Sequence, residues 1–528
     1  MRNVNKVKQS FIQGTMILLV AGVINRLLGF VPRITLPRVI GAEGIGLYQM
    51  GFPLLNIMIT IITGGLPLAI AKLVSEAVSV GNEHLIRRIL WSSLLFVLCA
   101  GLLFLAFSIW IAPVVGTHLL TDQRVIPTLY AMSPIIVVVG FSSVFRGYFQ
   151  GRQNMIPTAS SQIIETIFRI VGMLTLAWFL LPYGVEWAAA GAMIGVLIGE
   201  ISGMTVLILQ FRREKQRPHG EPMDKSGLFA AFRKLMRFSI PVTGSRMVGS
   251  SSYFLESIIT VQSLAAAGIA ATAATAAYGA LQGMVIPILL LPGVLTYSLS
   301  VSLVPSLSEA AARGDMQTIH RRLRQSMRLA LVAGMPFAVL MFILANPLTK
   351  FLYADESVGS LLQLMAPVAL FLYFQGPMQA ALQALDHPGK ALFNSFAGAC
   401  IKLSLIVVFA AKMKLGIVGV ILAINVNIVL VTILHYISLV RTIRFTFKLY
   451  DFVQVGVCAA FMAVPMLFIL SDVWHATDFL KFFLAALSGL LTYLFAITVG
   501  GLIDKHDLIR IPWLGSRLRL FKHFMIRK

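Results

Sequence analysis

The sequence predicts an all-α polytopic membrane protein with about 14 transmembrane helices. They are arranged as two parallel six-helix repeats followed by two further C-terminal helices. Three observations carry this. Of the 528 residues 58% are hydrophobic and only 12% charged, with a mean hydropathy of +0.86; soluble domains carry about 25% charged residues. That share cannot solvate a globular surface of this size, so soluble, disordered and collagen-like classes are excluded. The apolar runs are continuous over about 20 residues, the length that crosses a bilayer as a helix. A membrane β-barrel would instead alternate over about 10 residues. The third observation is an internal duplication.

In chain order the expected spans are 11–32, 46–71, 89–112, 125–145, 161–181, 187–209, 238–262, 278–304, 329–346, 361–383, 391–411, 416–440, 452–471 and 482–503. Loop charges test the order. Of the 43 Lys and Arg residues, 32 fall on the termini and on one alternating set of loops. The other set holds Arg33, Arg38, Arg124, Lys350, Lys412, Lys414 and Lys481. By the positive-inside rule both ends are then cytoplasmic, in the cell membrane. The same bias accounts for the net charge of +22 without nucleic acid. The basic start (Arg2, Lys6, Lys8) reads as the flank of an uncleaved first span, since no small-residue cleavage site follows. Cys99, Cys400 and Cys458 all lie within apolar runs, which fits packing and no disulfide or metal spacing.

The duplication runs at a nearly fixed offset of 233 residues, from Ser75-Glu76-Ala77 and Gly81 to Ser308-Glu309-Ala310 and Gly314. Met132-Ser133-Pro134 pairs with Met365-Ala366-Pro367, Gln150 with Gln383, and Arg169 with Lys402. An even number of helices separates the copies, so the halves share an orientation. The expected organisation is an N-terminal half over 1–209, a basic cytoplasmic linker over 210–237, a C-terminal half over 238–440, two added helices over 441–503, and a basic amphipathic cytoplasmic tail over 504–528. That tail, with Arg517, Arg519 and Lys522 beside Trp513 and Phe521, suits an anionic leaflet.

Two parallel halves make a transporter-like architecture with substrate bound between them. A charge in mid-bilayer costs roughly 2.5–3.5 kcal/mol on insertion scales, so intramembrane charges face partners or water. Arg26 and Arg33 are seven apart and share a helix face; their guanidiniums suit a phosphate or pyrophosphate, against the plainer reading of snorkelling to headgroups. Glu165 and Arg169, at i and i+4, fit an ion pair or a cavity wall, and Lys402 is the repeat partner of Arg169. Arg246 and Glu256 share the seventh span and Glu200 lies in the sixth, where it fits ion coupling or a buried protonated carboxyl. Gln375, Gln379 and Gln383 recur every fourth residue, a stripe for hydroxyl-rich cargo or for helix packing. No Walker A, HExxH or GxSxG sequence occurs, so no enzyme activity and no cofactor are expected.

Several motifs resemble a known group. They are Asn25-Arg26-Leu27-Leu28-Gly29-Phe30, Gly41-Ala42-Glu43-Gly44-Ile45-Gly46, Leu66-Pro67-Leu68-Ala69, Arg146-Gly147-Tyr148-Phe149-Gln150-Gly151 and Asn154-Met155-Ile156-Pro157 with Glu165. They resemble the polysaccharide-transporter branch of the MOP flippase superfamily, which also holds the MurJ lipid II flippases and the MATE drug exporters. The likeness covers the whole chain. It implies a flippase for an undecaprenyl-pyrophosphate-linked glycan, with lipid II for spore-cortex peptidoglycan as the leading cargo. It places Arg26 where the family keeps a first-helix arginine in a cationic cavity. Gram-negative MurJ proteins show Arg-Asp just beyond that motif, where this chain has Pro32-Arg33, so the resemblance carries Arg26 alone. The implied cycle is alternating access driven by the membrane potential or an H+ or Na+ gradient. Anionic membrane lipids and cell-wall synthesis enzymes are the other expected partners. The rival readings are export of another prenyl-linked polysaccharide unit, a MATE-type cation exporter, for which the intramembrane charges are too basic, and a non-transporting scaffold of wall synthesis.

Overall fold

A computed structural model describes residues 11–214, 226–447, 449–471 and 477–501. Among them every regular element is helical, as continuous apolar sequence demands where the backbone must satisfy its own hydrogen bonds. The chain forms α1 (Phe11–Leu28), α2 (Phe30–Thr63), α3 (Leu66–Ser79), α4 (Glu83–Val114), α5 (Ile126–Met132), α6 (Ile135–Gly151), α7 (Ile156–Leu180), α8 (Val185–Arg213), α9 (Ser226–Ala266) and α10 (Ala271–Gly279). It continues through α11 (Ile286–Leu290), α12 (Gly293–Ala312), α13 (Met316–Ile343), α14 (Ala345–Tyr353), α15 (Ser357–Met365), α16 (Ala369–Ala384), α17 (Pro388–Ile406), α18 (Gly416–Ile443), α19 (Leu449–Leu470) and α20 (Asp478–Val499).

Among the described residues twelve helices are long and apolar enough to cross a membrane, where about fourteen spans were expected. The first two expected spans fall in one apolar run, Met16–Ser79. The expected seventh span lies in α9, which is 41 residues long but interrupts its apolar residues with Arg246, Ser250, Ser251, Ser252 and Glu256. The linker expected over 210–237 is shorter, because α8 continues to Arg213 and α9 begins at Ser226; its centre and the basic tail lie outside the described residues.

The duplication is written into the turns. Residues with positive φ recur at the repeat offset: Gly81 (67°) and Gly314 (68°), Thr121 (53°) and Ala354 (59°), Gln153 (58°) and Asp386 (60°). Gly81 closes α3 with a hydrogen bond from the next residue, Asn82, back to Ala77 O at 2.9 Å; Gly314 closes α12 with Asp315 N to Ala310 O at 3.0 Å. This is the left-handed C-cap that glycine makes without strain. The following residue then caps the next helix in both copies. Asn82 Oδ1 accepts from Leu85 N and Asp315 Oδ1 from Thr318 N, each at 2.9 Å. After the second pair, Asp122 Oδ1 accepts from Arg124 N and Asp355 Oδ1 from Ser357 N.

Packing divides the chain differently from the duplication. One compact unit holds residues 1–284 and 403–420, the other 285–402 and 421–528. The first two helices of the second repeat belong to the first unit because they pack on it. Gly46 of α2 lies against the Thr275 backbone of α10, and Thr60 of α2 hydrogen-bonds Ser250 of α9 at 2.8 Å. The first unit is centred on residues such as Leu47, Met58, Ile70 and Tyr148. The second buries Leu307, Leu323, Met378 and Met462. There α19 and α20 are clasped to α13, with Tyr493 donating to Val332 O at 2.8 Å.

Candidate functional site

In the first unit, α7 and α8 form the most intimate helix pair. The reason is a glycine every fourth residue along α8: Gly191, Gly195, Gly199 and Gly203, one helix face. A methyl on Gly195 would strike the backbone at Gly172 and Met173, and one on Gly199 would sit 2.6 Å from the Arg169 Cβ. Lacking side chains, these glycines let the backbones touch and bring the polar groups of both helices together.

What they bring together is a four-residue ionic cluster. Arg169 on α7 donates to Glu165 one turn back and to Glu200 on α8, the latter at 2.8 Å. Arg146 on α6 donates to the second oxygen of Glu165. Both carboxylates are buried, at 7% and 8% exposure, while the guanidiniums are partly accessible. Two cations and two anions cancel, which is how charges become tolerable inside a membrane protein. The sequence singles out Glu165, Arg169 and Glu200 as charges within apolar runs, and the structure sets them on α7 and α8; their union in one cluster is a structural finding. Arg146 was missed, because the fourth span was ended at residue 145 and its arginine counted with the loop. The structure carries α6 on to Gly151.

The other predicted residues stand apart from this cluster. Gly29 keeps helical angles (φ −64°, ψ −15°) between α1 and α2, so Arg26 and Arg33 sit on nearly continuous helix, and both are exposed. The guanidinium carbon of Arg33 is 5.8 Å from the Phe30 ring centre. At Gly41 (φ 68°) the helical path breaks, just beyond exposed Arg38. On α9, Arg246 is exposed and Glu256 buried; Gln282 reaches the Glu256 carboxylate at 3.5 Å. Lys402 is half-buried on α17 of the second unit.

Gln379 lines a cavity of about 460 Å³ in the second unit, between α12 and α16. The glutamine stripe splits there. Gln375 is spent on structure, donating to Ile428 O and Thr432 Oγ1 at 2.9 and 3.2 Å. Gln379 and Gln383 are exposed along the cavity wall. No group of three or more potential metal ligands occurs among the described residues.

Comparison with known proteins decides the family. The family model described as polysaccharide biosynthesis protein matches residues 11–311. The chain belongs to the polysaccharide biosynthesis protein family. A second model, MatE, matches residues 249–408. As a family member the chain is a full-length homologue of stage V sporulation protein B of Bacillus subtilis (strain 168): they are 40% identical over 96% of this chain and 99% of the relative. It is also 25% identical to lipid II flippase MurJ of that organism, over 83% of this chain and 84% of the relative. Among solved structures, lipid II flippase MurJ in an inward closed conformation matches with a TM-score of 0.70 at 19% identity, covering 94% of this chain and all of that one. An inward-facing MATE family multidrug transporter of the MOP superfamily matches with a TM-score of 0.65 at 14% identity, covering 80% and 94%. The family member is therefore a multi-span membrane protein with the fold of MOP-superfamily transporters.

Proposed function

We propose that this protein is a flippase that moves an undecaprenyl-pyrophosphate-linked glycan, foremost lipid II for spore-cortex peptidoglycan, outward across the cytoplasmic membrane by alternating access. The carrying observation is full-length likeness to stage V sporulation protein B together with broad likeness to MurJ. The charge distribution supports it. The cluster of Arg146, Glu165, Arg169 and Glu200 pairs two cations with two anions and has no net charge to offer an anion. Its part is to hold α6, α7 and α8 together. Anion binding then falls to the exposed guanidiniums of Arg26, Arg33 and Arg246, whose planar donors match pyrophosphate oxygens.

The direction of transport fits the electrical gradient. An inside-negative potential favours outward passage of an anionic headgroup by about 2.3 kcal/mol per charge per 100 mV. The prenyl tail stays in the bilayer, so only the head needs a polar path. Anionic inner-leaflet lipids hold the basic cytoplasmic ends in this reading, and wall-synthesis enzymes receive the cargo outside. No step makes or breaks a covalent bond.

The test is outer-leaflet accessibility of lipid II in cells depleted of other flippases. Expression of this protein restores accessibility; Arg26→Ala and Arg246→Ala, at equal membrane abundance, lower it at least tenfold. Normal accessibility in both variants would remove the arginines from the site. Folded wild-type protein with lipid II confined to the inner leaflet would remove lipid II as cargo.

A further inference from the structure

The cavity between α12 and α16 differs chemically from everything the proposed function uses. Its described lining residues bring amides, hydroxyls and aliphatic groups, and no charged side chain is among them. At about 460 Å³ it lies within the range of small-molecule pockets, about 300–1,000 Å³. Its polar groups fall into two sets. Thr296 donates its hydroxyl proton to Gly293 O at 3.1 Å, and Ser300 donates to Thr296 O at 2.7 Å. Both hydroxyl oxygens are thereby left as acceptors. Tyr373 donates to Leu289 O at 2.9 Å. Gln379 and Gln383, one turn apart and exposed, each add an amide that both donates and accepts.

Gly376 lies on the lining where α12 and α16 approach closely. A Cβ there would lie 2.8 Å from the Ser300 Oγ, between the two polar walls. Val301, Val304 and Leu372 supply an apolar wall beside these groups. Amides beside an aliphatic surface match a sugar ring, which has hydroxyl and acetamido groups at its edge and C–H groups on its face. They do not match a pyrophosphate, which calls for guanidinium or ammonium groups.

We infer that this cavity is a subsite for the uncharged sugar portion of the cargo, read by Gln379 and Gln383. It rests on the flippase reading and deepens it: the amides of Gln379 and Gln383 choose the glycan, and they take no part in holding the pyrophosphate. Glycan preference and pyrophosphate affinity then reside on different residues and separate by mutation.

The experiment measures binding of two probes to the purified full chain: undecaprenyl pyrophosphate, and the same lipid carrying an N-acetylhexosamine disaccharide. The wild type binds the glycan-bearing lipid more tightly. Replacing Gln379 and Gln383 together by Leu weakens that lipid about tenfold, equivalent to about 1.4 kcal/mol, and leaves the bare lipid unchanged. Arg26→Ala weakens both lipids alike. Should the double variant fail to fold, Gln379→Asn, which keeps the amide but withdraws it by one methylene, shows a smaller loss of the same kind. If the wild type binds both lipids and neither glutamine variant changes the preference, the subsite is overturned while the flippase reading survives. If the folded wild type binds neither lipid, the flippase reading falls and the subsite falls with it.

Discussion

The same piece of sequence, duplicated, has become an ionic cluster in one unit and a neutral polar wall in the other. The repeat offset pairs Arg146 with Gln379, Glu165 with Gly398, Arg169 with Lys402 and Gln150 with Gln383. In the first unit the position of Glu165 holds a carboxylate between two guanidiniums. In the second, Gly398 packs against Asn427 and Val431 of α18, and polar contacts pass to neutral groups: Asn394 to His435 at 3.1 Å and to Ser438 at 2.9 Å. The scaffold was kept, and with it one cation, as Lys402; the guanidinium of Arg146 and the carboxylate of Glu165 have no charged counterpart. A self-neutralising cluster rigidifies because removing one member strands another. Neutral amides leave exposed neighbours free to meet a ligand at little cost to the fold.

The sharpest way to break this contrast is Glu165→Gln. It leaves Arg146 and Arg169 competing for Glu200 alone. Breaking a buried pair costs about 3–5 kcal/mol; partial exposure of the guanidiniums puts this case at the low end. Thermal unfolding in detergent reads it as a large fall in Tm. The double variant Arg146→Gln with Glu165→Gln imports the second unit's residue at position 146 and leaves the neutral Arg169–Glu200 pair. It is expected to be more stable than Glu165→Gln alone. A double variant less stable than the single one would show that Arg146 is held by something other than Glu165.

Next in size is the glycine contrast. Gly195→Ala drives a methyl into the α7 backbone at Gly172 and Met173, which cannot turn aside. Overpacking of this kind costs about 1–3 kcal/mol. Gly398→Ala meets the ends of the Val431 and Asn427 side chains, which can rotate away, so its loss is smaller. Equal losses in the two variants would mean that α17 and α18 are as tightly constrained as α7 and α8.

Much of this was readable before the structure and some was not. The membrane class, the helical fold and the duplication followed from apolar runs and paired motifs such as Ser75-Glu76-Ala77 and Ser308-Glu309-Ala310. The intramembrane charges were visible because a charge in an apolar run stands out. Arg146 escaped because hydropathy blurs a helix end by a few residues and a basic residue there looks like a loop. The α8 glycines were in plain view at every fourth position, yet only a facing helix turns such a stripe into a contact. Helix α9 was expected as a span but is too polar to pass on composition. Two of its hydroxyls pair sideways, Ser250 with Thr60 and Thr243 with the backbone N–H of Gly65, which donates to it at 3.0 Å. Sequence periodicity does not report such long-range pairing.

A smaller effect separates the two equivalent turns at Asp122 and Asp355. Both aspartates cap the residue two positions on. Asp122 alone is drawn into a wider network, accepting from Arg124 at 2.8 Å and from Thr275 at 2.7 Å. Burial pushes the Asp122 carboxyl up, but hydrogen bonds from Arg124 and Thr275 outweigh it and hold the group below its usual value. Its folded-state pKa is thus depressed. The stability it contributes is complete above the ordinary carboxylate range, near pH 4, and is lost as pH falls through the lower folded value. Asp122→Asn should cost about 1.5 kcal/mol at neutral pH, the low end for hydrogen bonds to a charged group, and flatten the acid limb of stability against pH. Asp355→Asn, which alters only local contacts to Ser357, should cost less.

The smallest expected effect completes the exchange from the other side. Gln379→Arg places the first unit's residue at the second unit's position, where the repeat supplies no carboxylate because residue 398 is glycine. In a buried setting an unpaired guanidinium would be ruinous, but Gln379 is exposed along its cavity. Substitutions at such positions stay within about 0.5 kcal/mol, so Tm should hardly move. Binding should move instead. A guanidinium in the cavity adds affinity for bare undecaprenyl pyrophosphate and removes the preference for the glycan-bearing lipid, making the second unit read charge as the first does. If Gln379→Arg instead destabilises the protein as strongly as Glu165→Gln, then position 379 is as closed as position 146, and the division between a structural cluster and an open recognition wall collapses.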